Sequence, residues 1–290
     1  MTLPLVVGVD GSDGSLLAVD WAVAEAARHD IPLRLVYASR WERYEGGVPL
    51  DGTERPSERV LAEHVVASAA ERAARSGPDV KVTTDILPDD PVRALLHEGY
   101  EAHALVTGSR GRGELAGLLL GSVGLAVAGR AHCPVIVVRG DKAGLAGGHE
   151  RILLGAGEPA TAGEAVRFAF REAEVRGSTL DVVRAWRFPA HEIVGHASLA
   201  EAARRPEEEA SALLDRVLGE AVAGHPEVRV RSVTAEGPAH RILVHRSAAA
   251  DLVVLGARRR HGAAGLQLGR VAHTLLHHAA CPVAIVPQPV

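Results

Sequence analysis

Short runs of branched aliphatic residues alternate along the chain with longer segments of helical hydrophobic spacing. This alternation is typical of βαβ units, which build a parallel sheet with helices on both faces. Between the first two aliphatic runs, Leu17, Trp21 and Ala24 recur at i, i+4 and i+7, which predicts a helix with this face toward the sheet. In the first half the predicted strands are Leu3 to Val9, Leu33 to Ala38, Val80 to Leu87, Ala104 to Gly108 and Val135 to Arg139.

The second half repeats the first at a shift of about 147 residues. The clearest anchors are His132 to Val135 and Ala280 to Val283, which read His-Cys-Pro-Val and Ala-Cys-Pro-Val. A repeat of this length predicts a domain duplication. The predicted strands of the second copy are Arg151 to Gly155, Leu180 to Ala185, Val228 to Val233, Asp251 to Gly256 and Val283 to Pro287.

The repeat divides the chain into a first domain over 1–140, a glycine-rich linker over 141–150 and a second domain over 151–290. A polar insertion follows the second strand of each copy, from Trp41 to Pro56 and from Pro189 to Pro206. Matching insertions at one place support the alignment of the two copies. In open parallel sheets, ligands bind beyond the carboxyl ends of the strands where the strand order reverses. The residues after strands one and four are therefore the candidate site.

Composition narrows the classes of function. A net charge of -4 and an aromatic content of 3% give no electrostatic field and few stacking platforms for nucleic acid. The longest uncharged run, Leu115 to Gly129, is shorter than the roughly 20 residues of a membrane helix. The N-terminal run lacks the form of a secretion signal, which predicts a cytoplasmic protein. Cys133 and Cys281 begin equivalent strands, so we expect small buried side chains there.

The residues that follow the fourth strand form a glycine-rich loop, Gly108-Ser109-Arg110-Gly111-Arg112-Gly113-Glu114. Glycine allows close approach of a backbone to phosphate oxygens. The run from Leu118 to Ala128 is expected to form a helix whose N-terminal amides face the same ligand. Ser122 offers a hydroxyl, and Arg110 and Arg112 offer cationic donors. The loop thus predicts a phosphate site.

The spacing Gly108-x2-Gly111-x9-Gly121-Ser122 resembles the ATP-binding signature of the universal stress protein family. The resemblance extends to Asp10 after strand one, to Asp90-Pro91 before the third helix and to the Cys-Pro-Val entry of strand five, and it runs through both copies. It implies two tandem Rossmann-like domains of the adenine nucleotide alpha hydrolase-like type, each with a five-stranded parallel sheet. It further implies ATP as the ligand, either alone or with Mg²⁺.

The resemblance also assigns site residues. At the adenosine end it implies Gly8, Val9 and Asp10, with Asp10 accepting hydrogen bonds, and Ala38 against the adenine. Around ribose and phosphates it implies Gly108, Arg110, Gly111, Gly121, Ser122 and Val123. Gly124 stands where many members of the family carry a further hydroxyl, which weakens phosphate contact slightly.

The second copy departs from this pattern. Its Arg259, His261, Arg270 and Gly157 stand where the first copy has Gly111, Gly113, Ser122 and Asp10. A long side chain blocks close approach of the backbone to phosphate, so we expect weak or no ATP binding there. An arginine-based anion site is the alternative for this copy, because guanidinium groups suit phosphate.

The leading hypothesis is a non-catalytic, ATP-binding regulatory protein of the stress response. A slow ATPase or phosphotransferase that uses Asp10 or Asp13, and an ATP-independent pairing module, remain alternatives. No Walker lysine and no G-x-S-x-G serine is present. His273, His277 and His278 lack a further ligand at a diagnostic spacing, so we expect no metal site.

The fifth strand of each copy is apolar and indicates how the two domains associate. Val135 to Val138 and Val283 to Val286 are apolar edge candidates, and exposed edges of this kind are usually covered or paired. Members of the family dimerise through this strand, so the resemblance implies that the two domains pair with each other, with a homodimer of the whole chain also possible.

Overall fold

The computed structural model describes residues 2–39, 58–111, 120–158, 162–187, 199–258 and 268–288. The chain forms two compact units, Met1–Val138 and Arg139–Val290. The polar insertion predicted from Trp41 to Pro56 and most of the one from Pro189 to Pro206 lie outside the described residues. From Leu199 onward the second insertion belongs to a helix.

The first unit alternates strands and helices, with one 3-10 turn at Gly99–Glu101. Its elements are β1 (Leu5–Gly8), α1 (Asp13–His29), β2 (Leu33–Ala38), α2 (Glu58–Ser76), β3 (Val82–Leu87), α3 (Pro91–Glu98), β4 (Ala104–Gly108), α4 (Ser122–Ala128) and β5 (Val135–Val138).

The second unit repeats this order after one short additional helix. Its elements are α5 (Lys142–Ala146), β6 (Arg151–Gly155), α6 (Gly163–Arg176), β7 (Thr179–Trp186), α7 (Leu199–Gly224), β8 (Val230–Glu236), α8 (Ala239–Ser247), β9 (Leu252–Arg258), α9 (Arg270–His278) and β10 (Val283–Gln288).

Each unit contains a parallel sheet between two layers of helices. In the first unit the strand order is β3-β2-β1-β4-β5, and in the second it is β8-β7-β6-β9-β10. All the pairs within these two sheets are parallel. Helix α1 packs with α2, and α3 packs with α4. The strand order therefore reverses between β1 and β4, and again between β6 and β9, as the predicted doubly wound fold requires.

The central strands supply most of the core. Leu5, Leu33, Leu105 and Ile136 are almost completely buried in the first unit, as are Ile152, Leu153, Leu180 and Leu252 in the second. Such continuous aliphatic strands are buried because helices cover both faces of a parallel sheet. Cys133 and Cys281 are buried as predicted, and burial raises the pKa of the Cys281 thiol to about 12.

One predicted helix face is wrong. Trp21 on α1 is buried, but Leu17 is 46% exposed and Ala24 is exposed. The buried side of α1 instead comprises Ala18, Val19, Ala22, Val23 and Ala26 together with Trp21. Small residues allow the helix to lie close to the sheet, and Trp21 is the one residue of the predicted pattern that lies on this face.

The segment that was expected to be a flexible linker has regular structure. Asp141 caps α5 by accepting from the Gly144 N–H at 2.9 Å, and the Asp141 N–H donates to the Ala280 carbonyl at 3.1 Å. Gly140, with φ 110°, lies so close to the same carbonyl that a Cβ would be 2.1 Å away. This segment therefore belongs to the second unit. Among the helices that the structure describes, none combines the length and apolarity needed to cross a bilayer.

Candidate nucleotide site

The candidate site of the first unit begins with a tight turn after β1. Gly11 has a φ of 78°, a conformation that favours glycine. This turn allows the Ser12 N–H and hydroxyl to donate to Oδ1 of Asp10 at 3.0 and 2.6 Å. Asp10 is therefore fixed by the chain that follows it, in an Asx turn.

Ser12 connects this turn to the helix behind it and to the loop after β4. Its Oγ accepts from the Ser15 N–H at 3.2 Å, so Ser12 is the N-cap of α1. The same Oγ lies 3.2 Å from the carbonyl oxygen of Arg110. One hydroxyl thus joins the two segments that line the switch point, although residue patterns did not single out Ser12.

Close contacts explain why several positions of the turn and the loop are glycine. A Cβ on Gly14 would lie 2.4 Å from the Arg110 carbonyl oxygen, and one on Gly108 would lie 2.4 Å from the Gly14 carbonyl. A Cβ on Gly111 would lie 2.5 Å from Oδ2 of Asp10. Since real Cβ contacts are longer than this, any other residue requires the backbone to shift at Gly14 and Gly108, and the Asp10 carboxylate to shift at Gly111. The glycines bring the Asp10 carboxylate against the backbone of the loop.

The end of the loop, at Gly121, lies next to its beginning, at Ser109. The Gly121 N–H donates to the Ser109 carbonyl at 2.8 Å, which closes the loop between β4 and α4. Ser122 is the first residue of α4 and is exposed. The helix therefore starts four residues later than the predicted Leu118, because Gly121 is extended, with φ -70° and ψ 151°. Arg112 lies outside the described residues.

The predicted adenosine end lies beside this loop. Gly8 ends β1 so close to α3 that a Cβ would be 2.9 Å from Cδ1 of Leu95. Val9 is buried, and its N–H donates to the Val36 carbonyl at 2.9 Å. Ala38 ends the adjacent strand β2 and is half-buried. The carboxyl ends of β1, β2 and β4 thus lie at one edge of the sheet.

Gly124, which stands where the resemblance expects a hydroxyl residue, lies close to the side chain of Thr107. A Cβ at this position would lie 3.1 Å from Oγ1 of Thr107 and 3.5 Å from the Gly108 carbonyl oxygen. Oγ1 of Thr107 is buried and has no hydrogen-bond partner among the described residues. The close approach of α4 to the end of β4 therefore leaves little room for a larger residue here.

The second unit keeps the close glycine contact of the predicted adenosine end, but its sequence lacks the Asp-Gly-Ser of the turn after β1. A Cβ on Gly155 would lie 2.7 Å from Leu255 and 2.9 Å from Leu243, which repeats the contact of Gly8 with Leu95. Gly157, the counterpart of Asp10, has no atom within 4 Å of its Cβ position. Arg270 begins α9 where Ser122 begins α4. Arg259 and His261 lie outside the described residues.

Gln288 replaces the missing cap in the second unit. Ala162, which precedes α6, makes no side-chain capping bond. Instead, Oε1 of the buried Gln288, at the end of β10, accepts from the Glu164 N–H at 3.1 Å. Its Nε2 donates to the Val286 carbonyl at 3.1 Å. The start of α6 is thus held by a strand end instead of by an Asp-Gly-Ser turn.

The histidines of α9 are close together. The rings of His273 and His277 lie 4.6 Å apart, and those of His277 and His278 lie 6.1 Å apart. Burial lowers the pKa of His277, and the nearby positive charges of His273, His278 and Arg139 lower it further.

Comparison with known proteins gives a consistent result. Residues 1–139 and 148–287 each match the model of the Universal stress protein family. A universal stress protein of Mycobacterium tuberculosis is 35% identical over 298 residues, which cover 98% of this chain and 97% of that protein. A universal stress protein of Archaeoglobus fulgidus DSM 4304 has a similar structure, with a TM-score of 0.69 and 16% identity over 99% of this chain and 98% of its own.

Proposed function

Since this chain belongs to the universal stress protein family, we propose that it is an ATP-binding regulatory protein of the stress response, with the nucleotide bound by the first domain. The observation that carries this proposal is the contact between Gly111 and Asp10. A carboxylate and a glycine loop about 100 residues apart in sequence meet at the switch point of the sheet, so closely that a Cβ on Gly111 would displace the Asp10 carboxylate.

The residues at this edge suit the parts of a nucleotide. The strand ends at Gly8 and Ala38, which are half-buried, offer apolar contacts to a base and ribose, with Val9 buried behind them. The exposed hydroxyl of Ser122 and the guanidinium of Arg110 are suitable donors to phosphate oxygens. If Mg²⁺ accompanies the phosphates, Asp10 is the carboxylate of this set that faces the loop. These residues bind and orient; none of them is assigned a chemical step.

The geometry of Asp10 favours binding over hydrolysis. Its Oδ1 already accepts two hydrogen bonds from Ser12, which fix the turn into α1. A carboxylate held in this way supports the loop and is poorly placed to move toward a water molecule. We therefore expect purified protein to release no phosphate from ATP above the level of an Asp10→Ala variant.

Substitution of Gly111 by arginine tests the proposal. Arginine is the residue of the second copy at the aligned position 259. In the first domain its Cβ would collide with Asp10, so we expect ATP affinity to fall at least about 100-fold, which corresponds to roughly 2.7 kcal/mol. Isothermal titration with ATP measures this change, and the nucleotide retained per chain after purification should fall from one toward zero.

Gly219→Arg is the matched control for this experiment. Gly219 is exposed on α7, and no atom lies within 4 Å of its Cβ position. The control carries the same added charge and bulk without touching the candidate site, so it should bind ATP as the wild type does. Equal ATP affinities of the wild type and of Gly111→Arg would contradict the proposal.

We infer further that the two domains pair through β5 and β10. Each of these strands is the last of its own sheet, next to β4 and β9 respectively. Both are aliphatic along their length, and an apolar edge left open invites pairing with another strand. Cross-linking of the full chain followed by peptide mapping tests this arrangement.

A further inference from the structure

Helices α8 and α9 of the second unit form a surface that has positive side chains and no negative ones. The two helices pack against each other, and Leu243, Leu275 and Leu276 lie on their buried sides. Neither helix contains an acidic residue. Their outward sides carry six arginines and histidines, four exposed and then two half-buried, which we call the cationic surface: Arg241, His245, His273, His278, Arg246 and His277.

The carboxylates around these helices are buried and have other partners. Asp251 is the only acidic residue between α8 and α9, and it accepts from the N–H groups of His149 and Arg151. Helix α8 packs on β6 and β7, where the buried Asp181 lies 3.4 Å from Arg151 and 3.8 Å from Arg231. Helix α9 packs on β10, which has no charged residue. Among the described residues, no carboxylate forms an ion pair with the cationic surface.

Most of the cationic surface changes its charge with pH. Arginine stays charged, whereas histidine gains a proton at about pH 6.5. Burial lowers the pKa of His277, and the charges of His273, His278 and Arg139 lower it further. The second effect comes from positive groups that lie close together without a carboxylate between them. His240, half-buried at the start of α8, adds a further histidine beside the surface. The positive charge therefore rises as the pH falls from about 7.5 to about 6.

The first unit has no such surface. Where α8 has His245, the corresponding helix α3 has Glu98, which pairs with Arg34 at 2.8 Å. Arg93 of α3 is also paired, with Asp89 at 3.3 Å. Helix α4, which corresponds to α9, has no charged residue. The cationic surface is thus not a general consequence of the fold.

Arg270, which begins α9, faces a different feature of the second unit. Together with Arg184 and Arg258 it lines an apolar cavity of about 800 Å³ at the carboxyl ends of β6, β7 and β9. Arg184 is itself paired with Glu158 at 2.6 Å. This cavity lies at the sheet edge that corresponds to the candidate nucleotide site, whereas the cationic surface lies on the outward sides of the two helices.

The opposite face of the same unit carries negative charge. Helix α7 has three consecutive exposed glutamates, Glu207, Glu208 and Glu209, which we call the acidic run. Glu209 lies 3.5 Å from the exposed Arg205, and an exposed pair of this kind contributes little. Helices α7 and α8 both pack on β7. Right-handed crossovers and the reversal of strand order place these two helices on opposite faces of the sheet.

We propose that copies of this chain associate head to tail in mildly acidic solution, with the acidic run of one copy docked on the cationic surface of the next. Glutamate stays ionised at about pH 6 while histidine becomes protonated, so the attraction is strongest there. The sequence pI of 6.4 means that little net charge opposes contact at this pH. Because the two surfaces differ and face opposite ways, each contact leaves one of each free, and the assembly is an open chain. The proposal does not depend on nucleotide binding by the first domain.

Static light scattering of the full chain at two pH values tests this proposal. At low ionic strength and about 100 µM protein, we expect the weight-average mass at about pH 6.0 to be at least about 1.5-fold that at about pH 7.5. Salt at about 0.5 M should reverse the increase, because the described residues of α8 and α9 expose no large apolar side chain and charge alone holds the contact. An equal mass at both pH values would overturn the proposal.

A triple variant of the cationic surface separates this contact from a general effect of net charge. Arg241→Gln, His273→Gln and His278→Gln together should abolish the increase in mass. The matched control is Arg75→Gln, His64→Gln and His97→Gln, which removes the same kinds of charge from exposed positions of the first unit. The control should retain the increase. An increase in both variants, or a loss in both, would overturn the proposal.

Mixing two variants tests the head-to-tail direction. The combined variant Glu207→Gln, Glu208→Gln and Glu209→Gln lacks the acidic run and should also fail to associate alone. Each triple variant keeps the surface that the other lacks, so an equal mixture should form pairs and no longer chains, with a mass at most about twofold that at about pH 7.5. Association of the acidic-run variant alone, or no association in the mixture, would overturn the proposal.

Discussion

His277 has an environment that opposes its charged form. Its Nε2 atom is buried and has no hydrogen-bond partner within the described ranges. Burial, together with the charges of His273, His278 and Arg139, lowers its pKa below the ordinary value of 6.5. Because the folded pKa is the lower one, the unfolded chain takes up this proton first as the pH falls. The contribution of His277 to stability is therefore complete above pH 6.5 and is lost as the pH falls below it.

The lowered pKa of His277 predicts how the His277→Leu variant responds to pH. Leucine has no proton to gain, so the free energy of unfolding of the variant should fall less than that of the wild type between about pH 7.5 and about pH 5.5. Urea denaturation at the two pH values measures the difference. His245→Leu, at an exposed position of α8, is the control and should retain the pH dependence of the wild type. Identical pH dependence in all three proteins would show that His277 has no such effect.

At the scale of the elements, the start of α3 shows how a local pattern fixes a helix boundary. Asp90 precedes Pro91, and its Oδ1 accepts from the N–H groups of Val92 and Arg93 at 3.1 and 3.3 Å. Pro91 occupies the first helical position, where a missing N–H costs little. In the second copy, Pro238 itself precedes α8 and makes no side-chain cap.

Asp90→Ala should therefore destabilise the first unit by about 1 kcal/mol, the usual cost of a lost N-cap. Asp90→Ser retains an acceptor at the same place and should recover most of that loss. Chemical denaturation of both variants gives the comparison. A similar loss in both variants would mean that the carboxylate acts through other contacts than the cap.

Strands were easier to predict than helix ends. The observed bounds of β2, β4 and β6 are the predicted ones, because branched aliphatic runs between polar residues mark buried parallel strands. The inward face of α1 and the start of α4 were missed. Both depend on tertiary contacts: the small residues of α1 are buried only because the sheet lies close, and Gly121 is extended only because it bonds to Ser109.

The candidate site could be predicted in part for the same reason. Glycine spacing and strand order indicated the edge of the sheet at which Gly111 meets Asp10 and Gly108 meets the turn after β1. The sequence did not indicate Ser12 as the link between the turn and the Arg110 carbonyl, although Asp-Gly-Ser before a helix is a recognisable cap signal. The arginine positions were visible in the second copy, but a cavity behind them depends on packing that no single motif encodes.

At the scale of the whole molecule, the two copies of one fold differ at the carboxyl edge of their sheets. The first unit has a carboxylate, a hydroxyl and closely approaching glycine backbone at this edge. The second has an apolar cavity lined by arginines, and the start of its helix α6 is held by Gln288. Both units nevertheless keep the same strand order and a core of aliphatic strands.

The backbone of β5 shows how the pairing of the two domains can be tested. The Leu105 N–H donates to the Pro134 carbonyl at 2.9 Å, and the Ser109 N–H donates to the Val138 carbonyl at 3.0 Å. Alternate residues of a strand direct their backbone groups to the same side, so Val137 directs its N–H and carbonyl away from β4. Proline at this position removes an outward donor and spares the bonds to β4.

We expect the isolated first unit, residues 1–138, to form a dimer, because it lacks β10, the strand that we propose as the partner of the β5 edge. Val137→Pro in the same fragment should give a monomer, since it lacks the outward N–H. Light scattering after gel filtration measures both masses, and thermal unfolding of the variant checks that the sheet is retained. A monomeric wild-type fragment, or a dimer that persists in a folded Val137→Pro fragment, would show that β5 does not carry the pairing.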